Sequence, residues 1–117
     1  PFSLPLLRRK SMTGERKVAN FIARVELHSA GYTDYENLHA YMQQRGFARS
    51  IRGDDGKSYL LPTGTYISAP SHSSGDIALQ AAVAAANATG KTSSVIIAEW
   101  TSAKWQGMPI ANAARTA

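Results

Sequence analysis

There is no cysteine among the 117 residues, which excludes disulfides and thiolate metal sites and fits the reducing cytoplasm in which the chain is expected to reside. No apolar run approaches the roughly 18 residues of a membrane-spanning helix, so an integral membrane protein is excluded. Acidic residues are scarce: 8 Asp and Glu stand against 13 Lys and Arg, a formal charge of +5. The three histidines, His28, His39 and His72, lack the spacing of a metal site. Asp54 and Asp55 have no third carboxylate near them and read as turn residues, so neither a metal nor a small-molecule cofactor is expected.

What is present is enough hydrophobic residue, 44% of the chain, for one buried core without covalent staples. The basicity is unevenly placed. Residues 1–17 hold Arg8, Arg9, Lys10, Arg16 and Lys17 against Glu15 alone, a charge of +4, which leaves +1 for all the rest. A basic tail adds salt-sensitive attraction to polyanions without forming a site. Phe2 to Leu7 is too short for the apolar part of a signal peptide, and its basic cluster follows instead of preceding it. Residues 1–17 are therefore read as a flexible extension, with Met12 as a natural start or the segment as a functional basic arm. Residues 18–110 form the domain, and 111–117 a frayed tail.

From Val18 the pattern is regular. Phe21, Ala23, Val25 and Leu27 alternate with Ile22, Arg24, Glu26 and His28, as on the two faces of a strand. Thr33 and Glu36 have the spacing of a capping box at a helix start, and Gly46 stands where a left-handed C-cap is needed. Ala48 to Arg52 reads as the next strand, followed by the turn Gly53-Asp54-Asp55-Gly56. Either Lys57 to Leu61 or Thr65 to Ser68 supplies the principal third strand. A second helix from about Gly75 to Thr89 has Asp76 beside its positive end and alanines suited to close approach to a sheet. Val95, Ile96 and Ile97 make Ser94 to Trp100 a strand with a buried β-branched run. Trp105 to Ile110 could add a short edge strand.

The order βαββαβ implies an α+β, ferredoxin-like domain: a four-stranded antiparallel sheet with two helices on one face. Its helix-free face would carry Arg24, Glu26 and His28. Thr89-Gly90-Lys91-Thr92 only imitates a phosphate-binding loop, because it follows a helix and precedes a strand; it reads as a helix stop.

Arg24, Glu26 and His28 point the same way along one strand, and a metal-independent ribonuclease needs a base, an acid and a cation for the phosphate. With Arg49 as a second cation they form the candidate catalytic set. Arg45 and Arg52 are candidate RNA-phosphate contacts, and Tyr59 and Tyr66 candidate platforms for unpaired bases. The bland alternative is a solvated face with one weak ion pair.

Several features together resemble the GhoS-type endoribonuclease antitoxins of type V toxin–antitoxin systems. They are the strand Phe21 to His28, Leu38-x-x-x-Met42-x-x-x-x-Phe47 running into Ser50-Ile51, the Asp-rich turn, Leu61 followed by Tyr66, the second helix, and Ser94 to Trp100. The likeness spans about residues 18–108. It implies a small cytoplasmic protein that cleaves the single-stranded messenger RNA of a short membrane-active toxin. The reading from a different class is a non-catalytic module that binds RNA or a protein partner. The partner expected is single-stranded RNA, with no membrane, for a monomer or homodimer.

Deleting residues 1–11 removes Arg8, Arg9 and Lys10. The expected outcome is an intact fold with weaker non-specific RNA binding at low salt. The log–log salt slope for single strands should fall by at most about 2 units, as measured by fluorescence anisotropy titrations at several salt concentrations.

Overall fold

The structure, a computed structural model, describes residues 19–68 and 72–111. The basic extension 1–17 and all but the first residue of the 111–117 tail lie outside the described residues.

The elements run β1 (Phe21–Leu27), α1 (Tyr32–Gln44), β2 (Phe47–Ala48), β3 (Ser50–Arg52), β4 (Ser58–Leu60), β5 (Thr65–Ser68), α2 (Gly75–Ala88) and β6 (Ser93–Glu99). Four strands form an antiparallel sheet in the order β2-β5-β1-β6, and β3 and β4 form a separate two-stranded hairpin. Thr65–Ser68 is thus the principal third strand. The expected single strand Ala48 to Arg52 is split at Arg49, where the chain leaves the sheet for the hairpin and the Arg49 carbonyl accepts from Leu61 N at 2.8 Å.

The inward residues of β1, Phe21, Ala23, Val25 and Leu27, are all buried. They join Leu38 and Met42 of α1, Phe47, Tyr66, and Ala78, Ala82, Ala85 and Ala86 of α2 in one core, so both helices cover the same face. The four alanines recur at helical spacing, and their small side chains bring the α2 backbone close to the sheet. Tyr35, Tyr41, Val95 and Ile97 pack partly buried around this cluster.

Both helices are capped, one differently from expectation. The N-cap of α1 lies two residues before Thr33: it is Gly31, and Asp34 Oδ2 accepts from Gly31 N at 3.0 Å. Glu36 falls beyond the capping position in that register, which is why the Thr33–Glu36 box is not the cap. α2 starts at Ser74, whose hydroxyl accepts from Ile77 N at 3.2 Å. Gly90 ends it with φ +84°, and Lys91 Nζ donates to the Ser29 carbonyl at 3.1 Å, a structural role in keeping with a helix stop.

β6 departs from the buried run expected of it, since Ile96 is 64% exposed. Among the described residues its strand lies at the sheet edge and its second face carries no helix. The segment after β6 returns beside the hairpin: Leu60 N donates to Pro109 O and Ala111 N to Ser58 O, each at 2.8 Å, around a single bridge between Tyr59 and Ile110.

β5 has four residues and β1 seven, so β5 leaves several β1 amides without a strand partner. Side chains and a turn supply the acceptors: Ser68 Oγ for Phe21 N at 3.2 Å, Gly64 O for Val25 N at 2.7 Å, and Tyr35 Oη for Leu27 N at 2.9 Å. Gly64 can approach this closely only without a side chain. A Cβ there would lie 2.6 Å from the Val25 carbonyl oxygen, and its φ is +87°. Gly64→Ala should destabilise the protein by about 2 kcal/mol or more. Gly90→Ala, at a similar φ but with no atom within 4 Å of the new Cβ, should lose only about 1 kcal/mol. Urea titrations of the two variants separate the steric contribution from the backbone one.

Candidate functional site

The helix-free face follows from the register. Ile22, Arg24 and Glu26 of β1 stand opposite Ala98, Ile96 and Ser94 of β6, and Ile22 and Arg24 stand opposite Ile67 and Thr65 of β5. His28 continues the β1 row, its backbone N donating to Thr92 O at 2.9 Å. Both of its ring nitrogens meet hydroxyls: Nδ1 lies 2.8 Å from Thr92 Oγ1 and Nε2 lies 3.0 Å from Ser94 Oγ. The imidazole is exposed yet fixed in orientation by two groups that can each donate or accept. A substrate hydroxyl replacing Ser94 Oγ would meet Nε2 at proton-transfer distance.

Arg24 is exposed and its Nη1 donates to Thr63 O at 3.1 Å, so the tight turn at Gly64 holds the guanidinium near the strand. Two pairs of same-face residues separate Arg24 from His28, about 13 Å along the strand. Arg24, Glu26 and His28 thus form a track along β1, all three exposed, instead of converging on one point.

Arg49 does not join that track. It follows β2, two strands from β1 and therefore about 10 Å across the sheet. Its charge acts instead on His39 and Tyr66, on the helix side. Tyr66 offers no ring to a base, since it is 0% exposed within the core; its place on the buried face of β5, opposite Ala23, corrects the stacking expectation. Arg45 is the exposed C-cap of α1, and its carbonyl accepts from Nε2 of buried His72 at 2.8 Å. His72 also packs on Phe47 at a ring separation of 4.6 Å, a structural histidine.

Arg52 and Tyr59 sit together on the hairpin lobe. Arg52, Ile51 and Asp54 line a cleft of about 430 Å³ whose other wall is Trp100 to Trp105, including Lys104. Tyr59 packs against Trp105 at 5.5 Å between ring centroids, and its hydroxyl donates to Asp55 Oδ2 at 2.5 Å. Asp55 Oδ1 also accepts from Lys57 N at 2.9 Å, which makes it a turn residue. The phenol bond and the Lys57 amide hold the Asp55 carboxyl below its ordinary pKa. Among the described residues no three His, Asp or Glu side chains gather as metal ligands would.

A second constellation escaped sequence reasoning. His39 Nδ1 and Tyr66 Oη share a hydrogen bond of 2.7 Å, with Glu36 Oε2 at 3.8 Å from His39 Nε2. Burial lowers the His39 pKa, Arg49 lowers it further, and Glu36 opposes both. Burial pushes the Tyr66 phenol well above its ordinary value, more than Arg49 offsets. The pair is therefore an uncharged bolt between α1 and β5. Its one sequence signal is position: His39 follows Glu36 by three on the helix and adjoins buried Leu38.

The molecule is thus a small α+β domain, with helices on one side of its sheet and an imidazole, a guanidinium and hydroxyls on the other. The chain belongs to the endoribonuclease GhoS family, whose family model matches residues 13–106. That family is one of endoribonuclease antitoxins. No curated protein and no solved structure matches the chain. No helix among the described residues is long and apolar enough to cross a membrane.

The lowered His39 pKa sets a pH dependence. Near neutral pH and above, the ring is uncharged in both folded and unfolded chains and stability is unaffected. Below the unfolded value of 6.5, the unfolded chain takes up the proton first, so stability falls as pH drops until the folded group titrates too. Thermal melts should show the midpoint declining from about pH 6.5 toward pH 5, ahead of most carboxylate titration. His39→Gln, which retains a partner for Tyr66, should flatten that decline.

Proposed function

We propose that this chain is a cytoplasmic endoribonuclease antitoxin that cuts the single-stranded messenger RNA of a small toxin without a metal ion. We read its fold as ferredoxin-like. Counted without the β3–β4 hairpin, its four sheet strands put the first and third at the centre, and the hairpin is an insertion after the second. The observation that carries the functional reading, beside family membership, is His28, exposed on the helix-free face with each ring nitrogen on a hydroxyl.

In this reading an RNA strand lies along β1. His28 Nε2 takes the proton of a ribose 2′-hydroxyl in place of its bond to Ser94. The 2′-oxygen bonds to phosphorus as the bond from phosphorus to the 5′-oxygen breaks, and that oxygen leaves with a proton from a donor such as water. Glu26 assists beside His28, and Arg24 holds a neighbouring phosphate. Arg52 and Tyr59 on the lobe and Arg45 at the α1 end extend the contact surface. Arg49 and Tyr66 contribute to the fold beneath it.

Labelled single-stranded transcripts of a candidate toxin message, incubated with the protein between pH 6 and 8, test this reading. Cleavage should occur with and without Mg²⁺, and His28→Gln should slow it by about 100-fold or more, while Ser94→Ala has a smaller effect. Full activity in the His28 variant would remove that residue's role. No cleavage under any of these conditions would leave a non-catalytic RNA- or protein-binding module.

A further inference from the structure

The cleft beside the β3–β4 hairpin combines groups that no other part of the described surface brings together. Ile51, Arg52 and Asp54 form one wall and Trp100, Lys104 and Trp105 the other, around about 430 Å³, a volume within the range of small-ligand sites. The chain has two tryptophans, and both line this cleft.

Trp105 is held from behind. Its ring packs on Tyr59, whose hydroxyl is tied to Asp55. Gly53 leaves room for the pair: a Cβ there would lie 3.1 Å from Tyr59 Cε1 and 3.3 Å from Trp105 Cζ2. The half-buried indole is therefore a fixed platform, of the kind on which an unpaired base stacks.

The charges of the cleft are uncommitted. Among the described residues Arg52 and Lys104 enter no ion pair, and the Asp54 carboxylate, unlike that of Asp55, accepts no hydrogen bond. All three side chains are exposed. Such a set does not suit a plain anion, which Asp54 would repel, nor a wholly apolar ligand. It suits a nucleotide, with phosphate for the cations, a ring for the indole and an amino group for the carboxylate.

We propose that this cleft is a base-reading subsite for single-stranded RNA, in which one unpaired base stacks on Trp105, its amino edge donates to Asp54, and Arg52 and Lys104 hold the flanking phosphates. The inference rests on the RNA-directed reading above and extends it from contact to selectivity. Guanine is favoured, since its N1–H and amino group stand side by side and match both carboxylate oxygens. Adenine and cytosine offer the amino group alone. Uracil is disfavoured, because its one N–H lies between two carbonyl oxygens that Asp54, an acceptor only, repels. Trp100 N donates to Asn20 O at 2.9 Å, so the subsite adjoins the start of β1, and His28 lies eight residues further along, about 26 Å away. The base that is read is thus several nucleotides from the bond that is cut.

NMR titrations of the isotope-labelled full chain with GMP, AMP, CMP and UMP, followed at the two indole N–H resonances, test the proposal. GMP should shift the Trp105 signal and bind about 10-fold or more tighter than UMP. Asp54→Asn, at an exposed position, donates as well as accepts and should bring the two nucleotides within about 3-fold of each other. Lys104→Ala should weaken all four alike. Oligomers of 2′-O-methyl RNA, which bind but lack the nucleophile for cleavage, should show the same order of bases. Indole signals unmoved at millimolar nucleotide, four nucleotides bound alike, or a GMP-to-UMP ratio unchanged by Asp54→Asn would each overturn the proposal, even in a protein that cuts RNA. Base-selective shifts in a protein that cuts no RNA would support it and leave the ribonuclease reading to fail alone.

Discussion

β1 is hydrogen-bonded along both edges and buried on one face, and both helices, β5 and β6 are placed by satisfying it. Its inward row, Phe21, Ala23, Val25 and Leu27, requires a cover, which α1 and α2 provide. Its two edges require partners, and β5 is too short to serve as one unaided. Ser68, Gly64 and Tyr35 make up the difference, each from a different element, so the turn before β5 and the first turn of α1 are drawn to the same strand. The outward row of β1 is left for the proposed chemistry. Core and proposed site are alternate residues of one segment.

This alternation is why β1 was legible in the sequence, together with the exposed row of Arg24, Glu26 and His28 on its outward side. Both helices were legible for a related reason: Gly46 and Gly90 stop them in the left-handed conformation that other residues avoid. The hairpin was harder. Ser58–Leu60 and Thr65–Ser68 have the same extended character, and it is the pairing of the former with β3, together with the bond from Leu61 N to the Arg49 carbonyl, that takes it out of the sheet. Ile96 and Tyr66 failed for one physical reason. A β-branched or aromatic residue on a strand announces the strand but not which face is covered, and that depends on where the helices land. Arg49 likewise looked like a surface cation until the break after β2 placed its charge beside His39 and Tyr66.

The three histidines show how little a residue type determines by itself. His72 is buried against Phe47 and bonded to a backbone carbonyl. His39 is kept neutral by burial against a phenol. His28 alone is exposed on the helix-free face with hydroxyl partners that a ribose could replace. The chemistry proposed for this endoribonuclease-family member thus rests on the imidazole that the core does not use.

The pairing of β1 with β6 also dictates an order of events during synthesis. Leu27 and Ser93 are register partners at opposite ends of the chain, so β1 leaves the ribosome well before the strand that closes its second edge. At roughly 5–20 residues per second, the delay is several seconds. Throughout that interval His28 has neither Thr92 nor Ser94 beside it. A nascent or truncated chain therefore lacks the oriented imidazole, and the face is completed only when translation has passed the last strand.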